Sequence, residues 1–163
     1  MAARRSAGIL LYKMREAGLF VLLVHPGGPF WARKDSGAWS IPKGEFLEGD
    51  DPQAAAMREF EEELGSRPAG ALTPLGDLVQ KGGKHVTGFA AEGDLDVAAI
   101  ASNTFEMEWP PRSGRRATFP EVDRAEWFSL KAARQRILES QRPFLDRLAA
   151  LIGDRPAGGR RES

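Results

Sequence analysis

Three glutamates, Glu59, Glu62 and Glu63, stand at i, i+3 and i+4 within Arg58-Glu-Phe-Glu-Glu-Glu-Leu64. On a helix, at about 100° per residue, their carboxylates converge on one side. Like charges so placed repel by roughly 0.2–0.5 kcal/mol per pair, so stability alone gives no reason to gather them. A divalent cation removes the repulsion, and hard carboxylate oxygens suit magnesium, with manganese as a substitute. The plainer alternative is a solvated acidic face balanced by Arg58 and Arg67. The residues upstream argue against it. In Trp39-Ser40-Ile41-Pro42-Lys43-Gly44 the glycine lets the backbone approach another group closely. Its carbonyl is then available to a metal, and Lys43 to a phosphate.

Other cations lie where loops are expected. His25, Arg33 and Lys34 belong to the Gly/Pro-rich stretch 25–37, and Lys81, Lys84 and His85 flank Gly82-Gly83. Each can bind phosphate by charge, and each also reads as an ordinary surface or structural residue. Tyr12, Phe30, Trp31 and Phe89 have the rings to stack on a base, although aromatics in apolar runs more commonly belong to the core. Trp39 and Trp127 are assigned to the core.

The elements that must hold these groups follow from patterning. Ala7 to Tyr12 and Leu19 to His25 read as two strands of a hairpin, and Trp39 to Ile41 as a short strand bordered by Pro42. Leu75 to Lys81 and His85 to Ala91 flank a glycine pair that signals a second hairpin. Thr104 to Trp109 and Ala125 to Leu130 are further short strands. The first helix is bounded by Asp51-Pro52 at its start and Gly65 at its end. Its sheet-facing arc is Gln53, Ala56, Met57, Phe60 and Leu64. Further helices are expected from Lys131 to Leu138 and from Pro143 to Ile152. Strands on both sides of a central helix, with helices again at the end, give an α/β (α+β) fold with a mixed sheet between helical layers.

The chain has 163 residues, with 23 Lys plus Arg against 23 Asp plus Glu. That length suits one domain, placed at 1–153, followed by a disordered tail at 154–163 rich in Gly, Arg and Pro. Balanced charge gives no global field to gather nucleic acid or membrane, so any recognition of an anion must be local. The absence of cysteine excludes disulfides, thiolate metal sites and a cysteine nucleophile. No apolar run is long enough for a signal or a membrane span, and the cytoplasm is the expected compartment. A monomer and a homodimer are both compatible with the sequence.

The stretch from Gly44 to Ser66 resembles the Nudix hydrolases, whose box reads G-x5-E-x7-R-E-U-x-E-E-x-G-U with U bulky and apolar. Gly44, Arg58, Glu59, Phe60, Glu62, Glu63 and Gly65 agree in register. Asp50 stands where the family has glutamate, and Ser66 where it has an apolar residue. The resemblance implies an α/β/α sandwich and a magnesium-dependent hydrolase that breaks a phosphoanhydride by water attack. It implies that Glu59, Glu62 and Glu63 bind cations together with the Gly44 carbonyl, and that Arg58 orients a glutamate. Asp50 bears on an outer metal position and Ser66 on packing. The catalytic base varies in the family: Glu59 is one candidate and Glu121, before the strand around Trp127, is another, with Glu106 and Glu108 behind them.

The phrase from Trp39 to Gly44 is similar to one found in Nudix enzymes that cleave dinucleoside and inositol polyphosphates. It points to dinucleoside polyphosphates or nucleoside triphosphates, with Lys43, Arg33, Lys34 and Lys81 as phosphate ligands. Two other readings stand beside it. A nucleotide-sensing module with the same fold would ordinarily have lost a metal-binding glutamate. An RNA 5′-end pyrophosphohydrolase would favour a basic chain.

Overall fold

The computed structural model describes residues 5–153. The expected tail at 154–163 lies outside them. The chain forms a sheet layered between helices, as expected. Strands β1 (Arg5–Arg15) and β2 (Gly18–Pro26) form the first hairpin, β4 (Thr73–Val79) and β5 (His85–Glu92) the second, and β8 (Val122–Ser129) closes the far edge. The order is β4-β5-β1-β2-β8. Only the β1–β5 pair is parallel, so the sheet is mixed.

The alternation of β1 and β2 divides the core. Leu10, Tyr12, Val21 and Leu23 face one side and pack with Ile137, Phe144 and Leu148. Ile9, Leu11, Leu22 and Val24 face the other and pack with Ala56, Phe60 and Leu64. A period of two thus feeds two helical layers. Helix α1 (Pro52–Leu64) covers the second face, while α2 (Leu130–Arg136) and α3 (Arg142–Gly153) cover the first. Helix α1 has the ends read from sequence: the Asp51 carboxylate accepts from the amides of Gln53 and Ala54, and Gly65 closes the helix at φ 88°. Of its proposed inner arc, Gln53 is exposed and Ala55 is buried in its place. Two adjacent alanines let the helix lie close to the sheet.

Three elements differ from expectation. Trp39 to Ile41 is not a strand of its own. It makes single bridges, Ser40 to Val24 and Trp39 to Ile137, and the ladder begins only at β3 (Lys43–Glu45), which pairs with β1 at Ser6, Ala7 and Gly8. Because β1 and β2 pair directly only from Tyr12 and Val21 to their shared turn, the segment 39–45 fills the wedge where they part. Pro42 has no amide hydrogen but its carbonyl accepts from Ile9, so the proline sits where only an acceptor is needed. Second, Thr104 to Trp109 does not join the main sheet. Strand β6 (Thr104–Glu108) pairs with β7 (Arg116–Pro120) in a separate two-stranded sheet. Third, α2 stops at Arg136 rather than Leu138, because Leu138 donates its amide to the Trp39 carbonyl.

Candidate active site

The wedge segment delivers Lys43 and Gly44 to the flank of α1. A Cβ added at Gly44 would lie 1.9 Å from Oε1 of Glu59. No side chain fits between this strand and the box helix, which is the physical reason for glycine there. Gly44→Ala is expected to push Glu59 aside and lower kcat about tenfold to a hundredfold, with the fold retained by circular dichroism. Unaltered kcat would show that the contact has no part in turnover.

Around this contact the carboxylates crowd. Burial, followed by the Glu59 charge, raises Glu63 to about 8; the Lys43 ammonium and the Lys43 backbone N–H act the other way. Glu59 is raised by burial and then by Glu62, against the opposing pull of Arg58. Glu121 is raised by burial and by Glu62. Lys43 is lowered, chiefly by burial, although Glu63, Glu45 and Glu59 oppose that shift. Desolvated like charges of this kind mark functional clefts.

The donor set has the hard-oxygen chemistry a divalent cation requires. As the side chains stand, no three acids, cysteines or histidines among the described residues close on one point. The Arg58 guanidinium lies 3.5 Å from Glu59 and 4.0 Å from Glu62, between the two carboxylates. Glu59 lies against Gly44, and Glu62 and Glu63 follow it on the same helix, so the residues fit a cation in chemical type.

Glu121 reaches the group through backbone bonds. Its amide donates to the Asn103 carbonyl at 2.8 Å, its carbonyl accepts from Gly27 at 3.0 Å, and the Asn103 amide donates to the carbonyl of Glu62 at 2.8 Å. Residues 101–103 therefore strap the turn that carries Glu121 to the end of α1, and Ser102 Oγ adds an acceptor for Val122 N–H. Sequence inspection missed this strap, since backbone bonds leave no residue signature. It also missed Gln141, wholly buried, whose Oε1 accepts from the Ile41 amide at 3.1 Å and whose amide nitrogen donates to Ser40 Oγ. A buried polar side chain must be paired, and this one fixes the segment leading to Lys43.

A cleft of about 220 Å³ opens beside these groups. Lys43, Glu63 and Glu121 lie at its polar end, while Val24, Trp31, Ile41 and Leu138 are among its apolar lining. The sequence candidates divide around it. Trp31 lines it, whereas Phe30 packs edge-on against Trp109 outside it, and Tyr12 and Phe89 are in the core. Arg33 and Lys34 are exposed and do not line the cleft; the Lys34 ammonium sits 5.5 Å from the Trp31 ring centre. His25 is fully buried, its two nitrogens bonded to Asp123 at 2.9 Å and to the Lys34 carbonyl at 2.6 Å, so it braces the loop. Lys81 borders a neighbouring cleft. Glu106 pairs with Arg116, and Glu108 accepts from the Gly114 amide, both on the separate two-stranded sheet. Trp39 is buried, and Trp127 is half-buried under the Lys13 ammonium. Asp50 bonds the amide of Leu47 within its own turn, and Ser66 is exposed, so an apolar residue there would gain no burial.

Residues 2–148 match the family model of the NUDIX domain, and the chain belongs to the Nudix family. Hydrolases of that family generally use divalent metals. An RNA pyrophosphohydrolase of Rhodospirillum rubrum is 46% identical over 55 residues, 32% of this chain and 33% of that protein. The match thus spans about a third of the relative's length. Among solved structures, an Ap4A hydrolase of C. elegans in a binary complex superposes with TM-score 0.65 at 20% identity, covering 93% of this chain and 98% of that one. The NUDIX domain of Shewanella oneidensis NrtR, complexed with ADP ribose, superposes with TM-score 0.64 at 16% identity, covering 93% and 90%. These two likenesses concern the fold. Among the described residues no helix is long and apolar enough to cross a membrane.

Proposed function

We propose that the protein hydrolyses the phosphoanhydride of a nucleotide carrying a chain of phosphates, a dinucleoside polyphosphate or a nucleoside triphosphate, with magnesium held by Glu59, Glu62, Glu63 and the Gly44 carbonyl. The observation that carries this reading is the junction of a desolvated carboxylate cluster with a cleft that has an aromatic wall. The cluster suits the cation and the phosphates, and Trp31 suits the base.

When bound, the cation neutralises charge on the phosphate oxygens and acidifies the attacking water. The chain's own residues do the rest. Lys43 takes a phosphate oxygen as a charge-assisted ligand, and Arg58 holds Glu59 in orientation. Glu121, strapped beside α1 and with its affinity for a proton raised, receives the proton of the attacking water; Glu59 is the other residue placed for that task. The water oxygen bonds to phosphorus, the bridging P–O bond breaks, and the leaving phosphate carries away the negative charge. We place this activity in a single domain, residues 1–153, acting in the cytoplasm as a monomer or homodimer, since a chain without cysteine needs no oxidising compartment.

The test is a product assay with magnesium on diadenosine tetraphosphate, ATP, ADP-ribose, an inositol polyphosphate and a 5′-triphosphorylated RNA oligonucleotide. Cleavage of diadenosine tetraphosphate or ATP at the highest kcat/KM is expected. Preference for the RNA, the substrate class named for the R. rubrum relative, would replace this reading. Tight nucleotide binding without cleavage of anything would make the protein a sensor.

A further inference from the structure

His25 lies near the end of β2 with none of its side chain exposed. What its two ring nitrogens face therefore fixes how many protons the ring holds when both bonds are made. Nε2 lies 2.6 Å from the Lys34 carbonyl oxygen, which can only accept, so Nε2 donates. Nδ1 lies 2.9 Å from Asp123 Oδ1. Arg124 Nε is 3.7 Å from that same oxygen and favours a negative charge on it, so the oxygen accepts as well. Two acceptors require two donors, and only the imidazolium form of the ring supplies them.

The other charged groups on the elements around the ring are engaged elsewhere. Asp35 of the loop accepts from the Trp39 indole N–H at 2.8 Å and from Arg136 at 3.0 Å. The Lys34 ammonium lies over the Trp31 ring, and the Arg124 guanidinium lies over Trp39, whose ring meets His25 edge-on at 5.1 Å. Glu121, on the turn bonded to Gly27, is within reach of the Glu62 charge. Asp123 is thus the acid that compensates the ring.

The Lys34 bond matters for the cleft. Among the described residues it is the hydrogen bond that ties segment 28–34 to the rest of the chain, between anchors at Gly27 and Asp35. Inside that segment the Lys34 amide donates to the Trp31 carbonyl at 3.0 Å, so the held carbonyl and Trp31 belong to one turn. A ring with a single proton can keep only one of its two bonds. It keeps the charge-assisted one, to Asp123, because a carboxylate is the stronger acceptor. A nitrogen lone pair then faces the Lys34 carbonyl, the two repel, and the turn loses its tie.

We infer that His25 is a positioning residue whose second proton clasps the loop carrying Trp31 to the sheet, so that the aromatic wall of the nucleotide cleft is held at low pH and released as the pH rises. This rests on the reading of Trp31 as the wall for the base, and adds to it a control on affinity.

Asp123→Asn separates this from a merely structural role. The asparagine amide can donate to Nδ1 of a neutral ring while Nε2–H still donates to Lys34, so the clasp closes without the second proton. From about pH 5 to about pH 9, the KM of diadenosine tetraphosphate is expected to rise about tenfold more in wild type than in the variant, with the kcat ratio of the two proteins constant. The comparison at equal pH cancels the titration of substrate and of the carboxylate cluster. Imidazole ¹⁵N resonances of the two histidines should show His25 protonated on both nitrogens at low pH in wild type, with the Nε2 proton lost at high pH. Backbone hydrogen exchange of residues 28–34 should quicken at high pH in wild type relative to the variant. A ring with one proton throughout, or KM curves that run parallel, overturns the clasp. A difference confined to kcat overturns its assignment to the Trp31 loop. If neither protein binds or cleaves any nucleotide while the ring and the loop change with pH as stated, the clasp stands and the hydrolytic reading fails.

Discussion

Glu62→Gln is expected to lower kcat with the preferred nucleotide by about three orders of magnitude, with the melting temperature unchanged within a degree or two. A divalent cation supplies several kcal/mol of charge stabilisation to a phosphoryl transition state, and about 4 kcal/mol corresponds to a thousandfold in rate. The substitution keeps the shape of the side chain and removes only its charge. Its side chain is 39% exposed, so no buried contact is lost. The bond that strap residue Asn103 makes to position 62 uses the backbone carbonyl and survives. A stopped assay over a range of magnesium concentrations, paired with a thermal melt, separates chemistry from folding. If kcat stays within tenfold of wild type while the melt is unchanged, Glu62 is not a cation ligand.

How much of this was legible beforehand depended on whether the information was local. Asp51, Pro52 and Gly65 bound α1 by interactions within a few residues of each end, and they appear in the sequence as residue types with one dominant use. The alternation in β1 and β2 gave the two-faced core for the same reason: period two is written in consecutive side chains. The box glutamates were legible through spacing. The wedge formed by 39–45 was not, because it depends on where β1 and β2 part, and that is set by partners elsewhere in the chain. Strand β7 was overlooked although Ala117 and Phe119 alternate with Arg116, Thr118 and Pro120; five residues with exposed neighbours carry little signal. The clamp on Glu121 was invisible, since its partners Gly27 and Asn103 contribute only backbone atoms. Among the loop cations, residue type alone gave Arg33, Lys34 and Lys81 equal standing with Lys43, and only the wedge distinguishes Lys43 by carrying it into the cleft.

Glu63→Gln should separate stability from activity in opposite directions. Burial raises the Glu63 carboxyl to about 8 in the metal-free protein, whereas the unfolded chain releases that proton near the ordinary value of 4.5. Between those two values the native state holds more protons than the unfolded state, so the contribution of this group to stability falls as pH rises through the window and levels off above about 8. Glutamine carries no charge to desolvate and is indifferent to pH. In EDTA the variant and the wild type should therefore be equally stable below about pH 4.5, and the variant should gain steadily to an advantage of about 2 kcal/mol or more above pH 8. Magnesium should reverse the order, because ligand binding to the native state stabilises the protein that binds it more tightly, and its uptake by wild type near neutral pH should release a proton. Turnover should fall about as far as for Glu62→Gln. Denaturant melts across pH, with and without magnesium, provide the measurement. A stability difference that does not change with pH in EDTA would mean that Glu63 is solvated like any surface acid, and a variant that gains as much from magnesium as wild type would remove Glu63 from the ligand set.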